Sequence, residues 1–165
     1  MQHHLTILTG ASRGMGLAMA KQLLQPHALL LCISRRSNAA LDALAAQHGA
    51  MLEQWQADLA DAAPVAARLA AWLQVQDASA LQSATLINNA GVISNLAPVR
   101  DGASADLANA LRVGLEAPVL LSAAFLDATR EWAATRKVLN ISSGLGRRAM
   151  ASSASYCAAK AGLDH

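Results

Sequence analysis

Three side chains near the C-terminal end of the sequence have the types and spacing of an acid/base site. Tyr156 and Lys160 are four residues apart, and Ser143 precedes them by 13 and 17 residues. On a helix that starts near Ser152 and Ser153, the tyrosine and the lysine share one face. A nearby ammonium lowers the pKa of a phenol from about 10 by about 1–3 units, so that the phenol can donate and accept a proton near neutrality. The serine hydroxyl can donate a hydrogen bond to a carbonyl oxygen as negative charge develops there.

A glycine-rich segment near the N-terminus predicts a cradle for the phosphates of a dinucleotide. Gly10, Gly14 and Gly16 lie between an apolar run and an amphipathic helical pattern, and Ser12 and Met15 belong to the same segment. Glycine lets backbone N–H groups approach a pyrophosphate, whose charge the N-terminus of a helix favours. Three glycines alone are weak evidence, but the strand–loop–helix setting makes the motif specific.

The end of the second predicted strand indicates which cofactor the cradle holds. An acidic residue at this place binds the ribose hydroxyl of NAD, whereas an arginine accommodates the phosphate of NADP. Here Ser34 is followed by Arg35, and Arg13 is available from the glycine segment. The sequence therefore predicts NADP(H). Arg36 is either a further phosphate contact or a solvated loop charge.

Apolar runs of strand length alternate with helical patterns along the whole chain, which predicts an α/β fold with a doubly wound, Rossmann-like parallel sheet. The predicted strands are Leu5–Thr9, Ala28–Ile33, Leu52–Ala57, Thr85–Asn89 and Val138–Ser142. The predicted helices are Met15–Gln25, Ala39–His48, Val65–Gln74 and a long one over 104–134, followed by the helix that carries Tyr156. We expect Pro118 to kink the long helix, because proline cannot donate a hydrogen bond to the carbonyl of Gly114.

The bulk properties exclude several classes of protein. The 165 residues predict one domain over 1–165, and a net charge of +2 without blocks of like charge argues against a nucleic-acid or membrane-surface partner. The longest unbroken apolar runs fall far short of the ~20 residues of a membrane span, and no signal-peptide pattern precedes the first strand. We expect a cytoplasmic protein in which Cys32 and Cys157 are buried thiols, and in which His3 and His4 are strand-edge residues rather than metal ligands.

Taken together, four motifs resemble those of the short-chain dehydrogenase/reductase family, and the resemblance runs from the first strand to the last residue. The motifs are Thr9-Gly10-x-x-x-Gly14-x-Gly16, Asn88-Asn89-Ala90-Gly91, Ile141-Ser142-Ser143 and Tyr156-x-x-x-Lys160. Within the family, the segments around the second and third motifs and Ala117–Ser122 are similar to the sepiapterin reductase and benzil reductase branch, which reduces ketones and diketones with NADPH.

The resemblance implies a role for each matching residue. Tyr156 would be the general acid/base, Ser143 would orient the carbonyl, and Lys160 would hold the nicotinamide ribose. The residues implied to contact the cofactor beyond the glycine segment are Asp58, which would read the adenine, Leu59, Asn88, Ala90, Gly91, Tyr156 and Lys160. The resemblance also implies a small-molecule carbonyl substrate and a homo-oligomer formed through the long helix and the helix of Tyr156.

Two departures from the family pattern stand out. Gly114 occupies the place of an asparagine whose backbone carbonyl, in the family, holds a water that links the lysine to solvent; glycine keeps that carbonyl, so we count it among the catalytic residues. Family chains also continue beyond the helix of Lys160, so we expect a fold that is incomplete on its C-terminal side, with the fifth strand at an edge of the sheet. The alternative function is a catalytically silent NADP-binding or interaction module.

Overall fold

The computed structural model describes residues 3–165, which form a five-stranded parallel sheet with helices packed on both faces. The strands, in chain order, are β1 His3–Thr9, β2 Ala28–Ser34, β3 Met51–Gln56, β4 Leu81–Asn88 and β5 Thr135–Asn140. Their order across the sheet is β3-β2-β1-β4-β5, and every neighbouring pair is parallel. The predicted doubly wound α/β fold is confirmed, and within the described residues β5 is an edge strand. The prediction of one domain includes Met1 and Gln2, which lie outside the described residues.

The last two strands begin earlier than the hydrophobic pattern predicted. β4 begins at Leu81 rather than Thr85, and β5 begins at Thr135 rather than Val138. Their first residues are largely polar, so no apolar run marks them, yet Ser83 pairs with His4 on one side and with Thr135 on the other. Parallel pairing with a neighbouring strand therefore extends these strands beyond the apolar runs that the sequence pattern marks.

The helices cover the two faces of the sheet and agree with the predicted ones except at their ends. They are α1 Gly14–Leu23, α2 Ala39–His48, α3 Ala62–Gln74, α4 Ser104–Leu111, α5 Ala117–Ala128 and α6 Ala154–Asp164. α3 begins before the predicted Val65, since Pro64 fits the first helical turn, where its missing N–H has no partner to lose. The long helix ends at Ala128 rather than Ala134, and the buried Thr129 hydroxyl donates to the carbonyl of Phe125 at 2.7 Å.

The kink that Pro118 predicts takes the form of a π turn. α4 and α5 are joined without a break by the π-helical segment Arg112–Glu116, in which the N–H of Ala117 donates to the carbonyl of Arg112 five residues back. Proline cannot supply the usual hydrogen bond at its own position, and a π turn accommodates the lost bond without ending the helix. The combined helix Ser104–Ala128 is long and apolar enough to cross a membrane by composition, but Leu121 and Phe125 are fully buried in the core.

Two apolar layers enclose the sheet. Leu69, Leu121 and Phe125 lie in the layer that α3 and α5 form on one face, and Leu24 and Leu41 lie in the layer that α1 and α2 form on the other. The expectation of buried thiols is right for one cysteine only. Burial raises the pKa of the Cys32 thiol to about 12, whereas Cys157 on α6 is only half-buried.

A cluster of polar and aromatic side chains fastens the edge strand β3 to α3. The Glu53 carboxylate accepts the indole N–H of Trp55 at 2.5 Å and that of Trp72 at 2.9 Å. The two indoles meet edge to face, with ring centroids 6.0 Å apart, and the guanidinium of Arg68 lies 3.8 Å from the Trp55 ring. Trp55 is almost fully buried, so its N–H has no access to water as a replacement acceptor.

We expect Glu53→Ala to lower the free energy of unfolding by about 1–2 kcal/mol, because the buried indole N–H loses its acceptor. Glu53→Gln should fall between Glu53→Ala and the unmodified protein, because its single amide oxygen retains one acceptor site of the carboxylate. Chemical denaturation measures the free energy of unfolding of the three proteins. Equal stability of all three would show that the carboxylate does not fasten this edge.

Candidate active site

The carboxyl ends of β1 and β4 are tied together by the side chain of Thr9. Its hydroxyl accepts the backbone N–H groups of Asn89 and Ala90, each at 3.0 Å, and donates to the carbonyl of Ile87 at 3.4 Å. The Asn89 amide donates in turn to the carbonyl of Thr9 at 2.9 Å. The glycine segment after β1 and the Asn-Ala-Gly segment after β4 are therefore held at a fixed separation.

The glycine segment needs backbone freedom at two positions and a bare Cα at a third. Gly10 and Gly14 have φ angles of +73° and +56°, which side chains disfavour. Gly16 is different, because a Cβ there would overlap the carbonyl oxygen of Gly10 and lie 2.6 Å from the Asn89 amide nitrogen. The first turn of α1 thus packs directly on the loop, with its backbone N–H groups at the strand ends.

A cavity of 360 Å³ opens at these strand ends, a size in the range of small-molecule sites. The lining residues that the sequence predicted are Gly10, Ser12, Arg13, Gly14, Met15, Gly16, Ser34, Arg35, Asp58, Leu59, Ala90 and Gly91. The lining residues that it did not predict are Ile33, Ala57, Asn89, Val92, Asn109 and Val113. Most of the predicted cofactor contacts therefore lie around one cavity.

Three arginines line a depression beside the cavity. The depression is lined by Ser12, Arg13, Arg35 and Arg36, and the three arginines are exposed there. The ion pairs of residues 3–165 engage other arginines. The Ser34 hydroxyl accepts the N–H of Ala11 at 2.8 Å, which leaves its own hydrogen available to a ligand. This end of the site has the charge and the donors to bind a phosphate.

Lys160, on α6, lies beside the cavity at Gly91, away from the arginines. Its ammonium donates to the carbonyl of Ile141 at 2.6 Å, and the residue is only 4% exposed. Burial lowers the pKa of Lys160, and the negative charge of Asp164 partly opposes that shift. A Cβ on Gly91 would lie 3.8 Å from the Lys160 nitrogen, so the ammonium is adjacent to the cavity wall. The nitrogen is also 5.9 Å from the centre of the Tyr156 ring.

Ser143 follows β5 and opens a short 3₁₀ turn, Gly144–Gly146. Its hydroxyl oxygen accepts the N–H of Leu145 at 3.2 Å, and the side chain is half-buried. Tyr156 lies in the first turn of α6, which begins after Ser153 as predicted; the buried Ser153 hydroxyl forms no capping hydrogen bond. Ser143, Tyr156 and Lys160 lie outside the cavity lining, on the segments that adjoin it.

Comparison with known proteins shows what this arrangement is similar to. Residues 4–165 match the model of the short chain dehydrogenase family. The chain belongs to that family. The benzil reductase ((S)-benzoin forming) of Bacillus cereus is 33% identical over 158 residues, which cover 96% of this chain and 64% of the relative. The sepiapterin reductase of Xenopus tropicalis is also 33% identical, over 97% of this chain and 65% of the relative.

Solved structures of short-chain dehydrogenases/reductases have the same fold. One from Burkholderia vietnamiensis is 38% identical with a TM-score of 0.86, over 99% of this chain and 74% of that one. A metagenomic short-chain oxidoreductase in complex with NADP is 30% identical with a TM-score of 0.83, over 99% of this chain and 71% of that one. The chain therefore spans slightly less than two thirds of the curated relatives and belongs to a family of oxidoreductases that use nicotinamide cofactors.

Two predicted site residues lie behind the cavity of this short-chain dehydrogenase rather than on its wall. Asn88 is buried, and its amide donates to Asn140 at 2.9 Å and to Ser122 at 3.1 Å, so it joins β4 to β5 and α5. Gly114 is buried in the π segment, where a Cβ would lie 3.0 Å from the Cβ of Ala159 on α6. Both residues hold the elements that surround the site.

Three of the lining residues that sequence reasoning missed, Asn89, Asn109 and Val113, come from two sources. The alternation of side chains along β4 turns Asn88 toward α5 and leaves the next residue, Asn89, at the cavity. The alternation along the strand could therefore have indicated that Asn89, rather than Asn88, faces the cavity. Asn109 and Val113 reach the cavity from the long helix, and they are one turn apart on one face. The sequence pattern does not indicate which helix face meets the strand ends.

The part of the chain that the structure describes, residues 3–165, contains no group of three His, Cys, Asp or Glu side chains able to hold a metal ion. The Nδ1 of His3 lies 3.1 Å from the carbonyl oxygen of His27, to which it can only donate, and the Nδ1 of His4 lies 2.8 Å from the Ser83 hydroxyl, so both are engaged at the amino-terminal edge of the sheet. They lie at the opposite ends of the strands from the cavity.

The contrast between Gly16 and Gly14 tests the packing of the loop. Gly16→Ala places a methyl group onto backbone atoms, and we expect it to lower the free energy of unfolding by more than about 2 kcal/mol and to abolish cofactor binding. Gly14→Ala meets no atom within 4 Å and carries only the strain of its positive φ, about 1–2 kcal/mol.

Chemical denaturation and fluorescence titration with NADPH measure both effects. Equal losses in the two variants would contradict the steric origin of the Gly16 requirement, since the two sites share the loop and differ in the space around the Cβ.

Proposed function

We propose that this chain is the cofactor-binding and catalytic part of an NADPH-dependent carbonyl reductase that reduces a ketone or diketone to an alcohol. The observation that carries the proposal is the Lys160 ammonium, which lies beside the cavity wall at Gly91 and beside the Tyr156 ring. The relatives named as benzil and sepiapterin reductases support the substrate class. A cytoplasmic location and a homo-oligomer formed through the long helix and α6 stay predictions, and light scattering of the purified protein tests the second.

The residues of the cavity fit a phosphorylated dinucleotide. The bare Cα of Gly16 and the positive φ angles of Gly10 and Gly14 let the backbone line the cavity directly. Arg13 and Arg35 border both the cavity and the adjoining depression, where a 2′-phosphate can accept their hydrogen bonds. Asp58 lies on the same wall and is the candidate reader of the adenine.

Bound NADPH supplies the hydride for the carbonyl carbon. We propose that the Tyr156 hydroxyl donates its proton to the carbonyl oxygen while the Ser143 hydroxyl donates a hydrogen bond to the same oxygen. The charged Lys160 would stabilise the negative charge left on the tyrosine oxygen and would hold the nicotinamide ribose. In the reverse reaction the Tyr156 oxygen takes the proton back from the alcohol while the hydride would return to the oxidised cofactor.

We further propose that the backbone carbonyl of Gly114 holds a water that links Lys160 to solvent, along which the proton that Tyr156 gives up is replaced. Gly114 lies in the π segment, where hydrogen bonding departs from the regular helical pattern, and it packs against Ala159, the residue before the lysine.

Cofactor choice provides the first prediction of this proposal. Arg35→Ala should weaken NADPH binding by about 10- to 100-fold, because a charge-assisted hydrogen bond to phosphate contributes about 1.5–3 kcal/mol, and NADH binding should stay unchanged. Arg13→Ala should act in the same direction. Lys21→Ala is the control, because it removes one exposed positive charge from the end of α1, away from the cavity lining. Tighter binding of NADH than NADPH by the unmodified protein would overturn the choice of cofactor.

The second prediction concerns the proton donor. Tyr156→Phe should lower kcat by about 10²- to 10⁴-fold, because proton transfer is lost, and should leave the Kd for NADPH within about twofold. Oxidation of NADPH with a panel of diketones, quinones and pterins measures turnover. Near-normal turnover of the variant removes Tyr156 from the mechanism, and NADPH binding without oxidation by the unmodified protein indicates the silent module instead.

The third prediction concerns Gly114. Gly114→Asn should lower thermal stability and leave turnover unchanged or lower, because its side chain must displace Ala159 and the water needs only the backbone carbonyl. Steady-state kinetics and a melting curve check both parts. A hundredfold gain in turnover would contradict the claim that the backbone suffices.

A further inference from the structure

The turn after Ser143 packs without a side chain against the backbone of the candidate lysine. A Cβ on Gly146 would lie 2.8 Å from the carbonyl oxygen of Lys160 and 2.9 Å from its carbonyl carbon. It would also lie 2.9 Å from a carboxylate oxygen of Asp164, one turn further along α6. Because the nearest of these atoms are backbone atoms inside a helix, no side-chain rotation can make room.

The same turn is rigidly connected to Ser143. The serine carbonyl accepts the N–H of Gly146 at 3.0 Å, and the serine hydroxyl accepts the N–H of Leu145 at 3.2 Å. Any displacement of Gly146 away from α6 is therefore transmitted through two hydrogen bonds to the residue that carries the hydroxyl.

We infer that Gly146 is a positioning residue for the reductase proposed above, because its bare Cα sets how closely Ser143 approaches the helix that carries Tyr156 and Lys160. The expected loss of turnover rests on the proposed function, whereas the expected displacement of Ser143 rests on the packing alone. A misplacement of about 1 Å at a reacting centre can lower turnover by about 100-fold.

The contact between Arg147 and Asp164 does not supply the same constraint. The guanidinium nitrogen and the carboxylate oxygen are 3.6 Å apart, and the Arg147 side chain is 84% exposed. Exposed ion pairs of this kind contribute little to stability. Close packing at Gly146, rather than this ion pair, holds the turn on α6.

Gly144 provides a matched control in the same turn. A Cβ on Gly144 has no atom within 4 Å, and its φ lies outside the left-handed region. Gly144 and Gly146 also lie outside the cavity lining, so neither substitution touches the proposed cofactor contacts.

The experiment compares the unmodified protein with Gly146→Ala, Gly144→Ala and Arg147→Ala in turnover, in the Kd for NADPH and in melting temperature. Arg147→Ala removes the ion pair with Asp164 and leaves the carboxylate near Lys160 in place. Gly146→Ala should lower kcat by about 30- to 100-fold with the Kd for NADPH kept within about threefold. Gly144→Ala and Arg147→Ala should keep kcat within about threefold of the unmodified protein. Equal losses in the two glycine variants, or an equal loss in Arg147→Ala, would overturn the inference.

A second comparison assigns the effect to Ser143. In a Ser143→Ala background, adding Gly146→Ala should cost less than about threefold in kcat, because the group that Gly146 positions is already gone. Recurrence of the full loss, or simultaneous loss of NADPH binding and folding in Gly146→Ala, shows a general structural role and contradicts positioning.

Crystal structures of the two glycine variants keep this inference separate from the proposed function. Gly146→Ala should move Ser143 away from α6 by at least about 0.5 Å, and Gly144→Ala should leave it in place. If the unmodified protein shows no turnover, the proposed function is refuted, and the displacement of Ser143 then decides the inference about Gly146. If Ser143 does not move in Gly146→Ala, the inference is refuted.

Discussion

The Lys160 ammonium donates to the carbonyl oxygen of Ile141 at 2.6 Å while almost entirely removed from water, and the arrangement of the site depends on that contact. A buried ammonium costs several kcal/mol unless it is hydrogen-bonded, so α6 must sit where the end of β5 offers a free carbonyl. The same position places the nitrogen beside Gly91 and beside the Tyr156 ring. One hydrogen bond thus brings the segment after β5, the segment after β4 and α6 to the same place.

The close approach of α6 is possible because several facing positions lack side chains. A Cβ on Gly114 would meet Ala159 at 3.0 Å, and one on Gly162 would meet the Leu115 side chain at the same distance. Gly146 closes the other side against the Lys160 carbonyl. Gly114 is therefore a position at which the long helix packs on α6. The π turn that Pro118 favours includes Gly114 and so lies at this contact. The same local change in the helix therefore accommodates the hydrogen bond that proline cannot form and places Gly114 against α6.

Patterns that depend on local chemistry were readable from the sequence. The glycine segment, the arginines after β2 and the alternation of strands and helices need only neighbouring residues, and the structure places them around one cavity. The predicted starts of β4 and β5 were too late, because the polar residues before them pair with a neighbouring strand and no local pattern reveals that pairing. Asn109 and Val113 were missed for a related reason, since the rotation of a helix about its axis is set by packing against α6 and the sheet. The close packing of Gly146 on the Lys160 backbone likewise depends on how the turn after β5 meets α6, which no local pattern indicates.

The pH dependence of turnover tests the buried ammonium most directly. Burial lowers the pKa of Lys160 from 10.5, so the charged form is fully present below the lowered pKa and is lost as the pH rises through it. Measured at saturating NADPH up to about pH 11, kcat/KM for the carbonyl should fall with an apparent pKa below 10.5. In Asp164→Asn the fall should occur at still lower pH, because the charge that opposes the shift is gone. Turnover that stays constant beyond pH 10.5, or a fall at the same pH in Asp164→Asn as in the unmodified protein, would contradict the account.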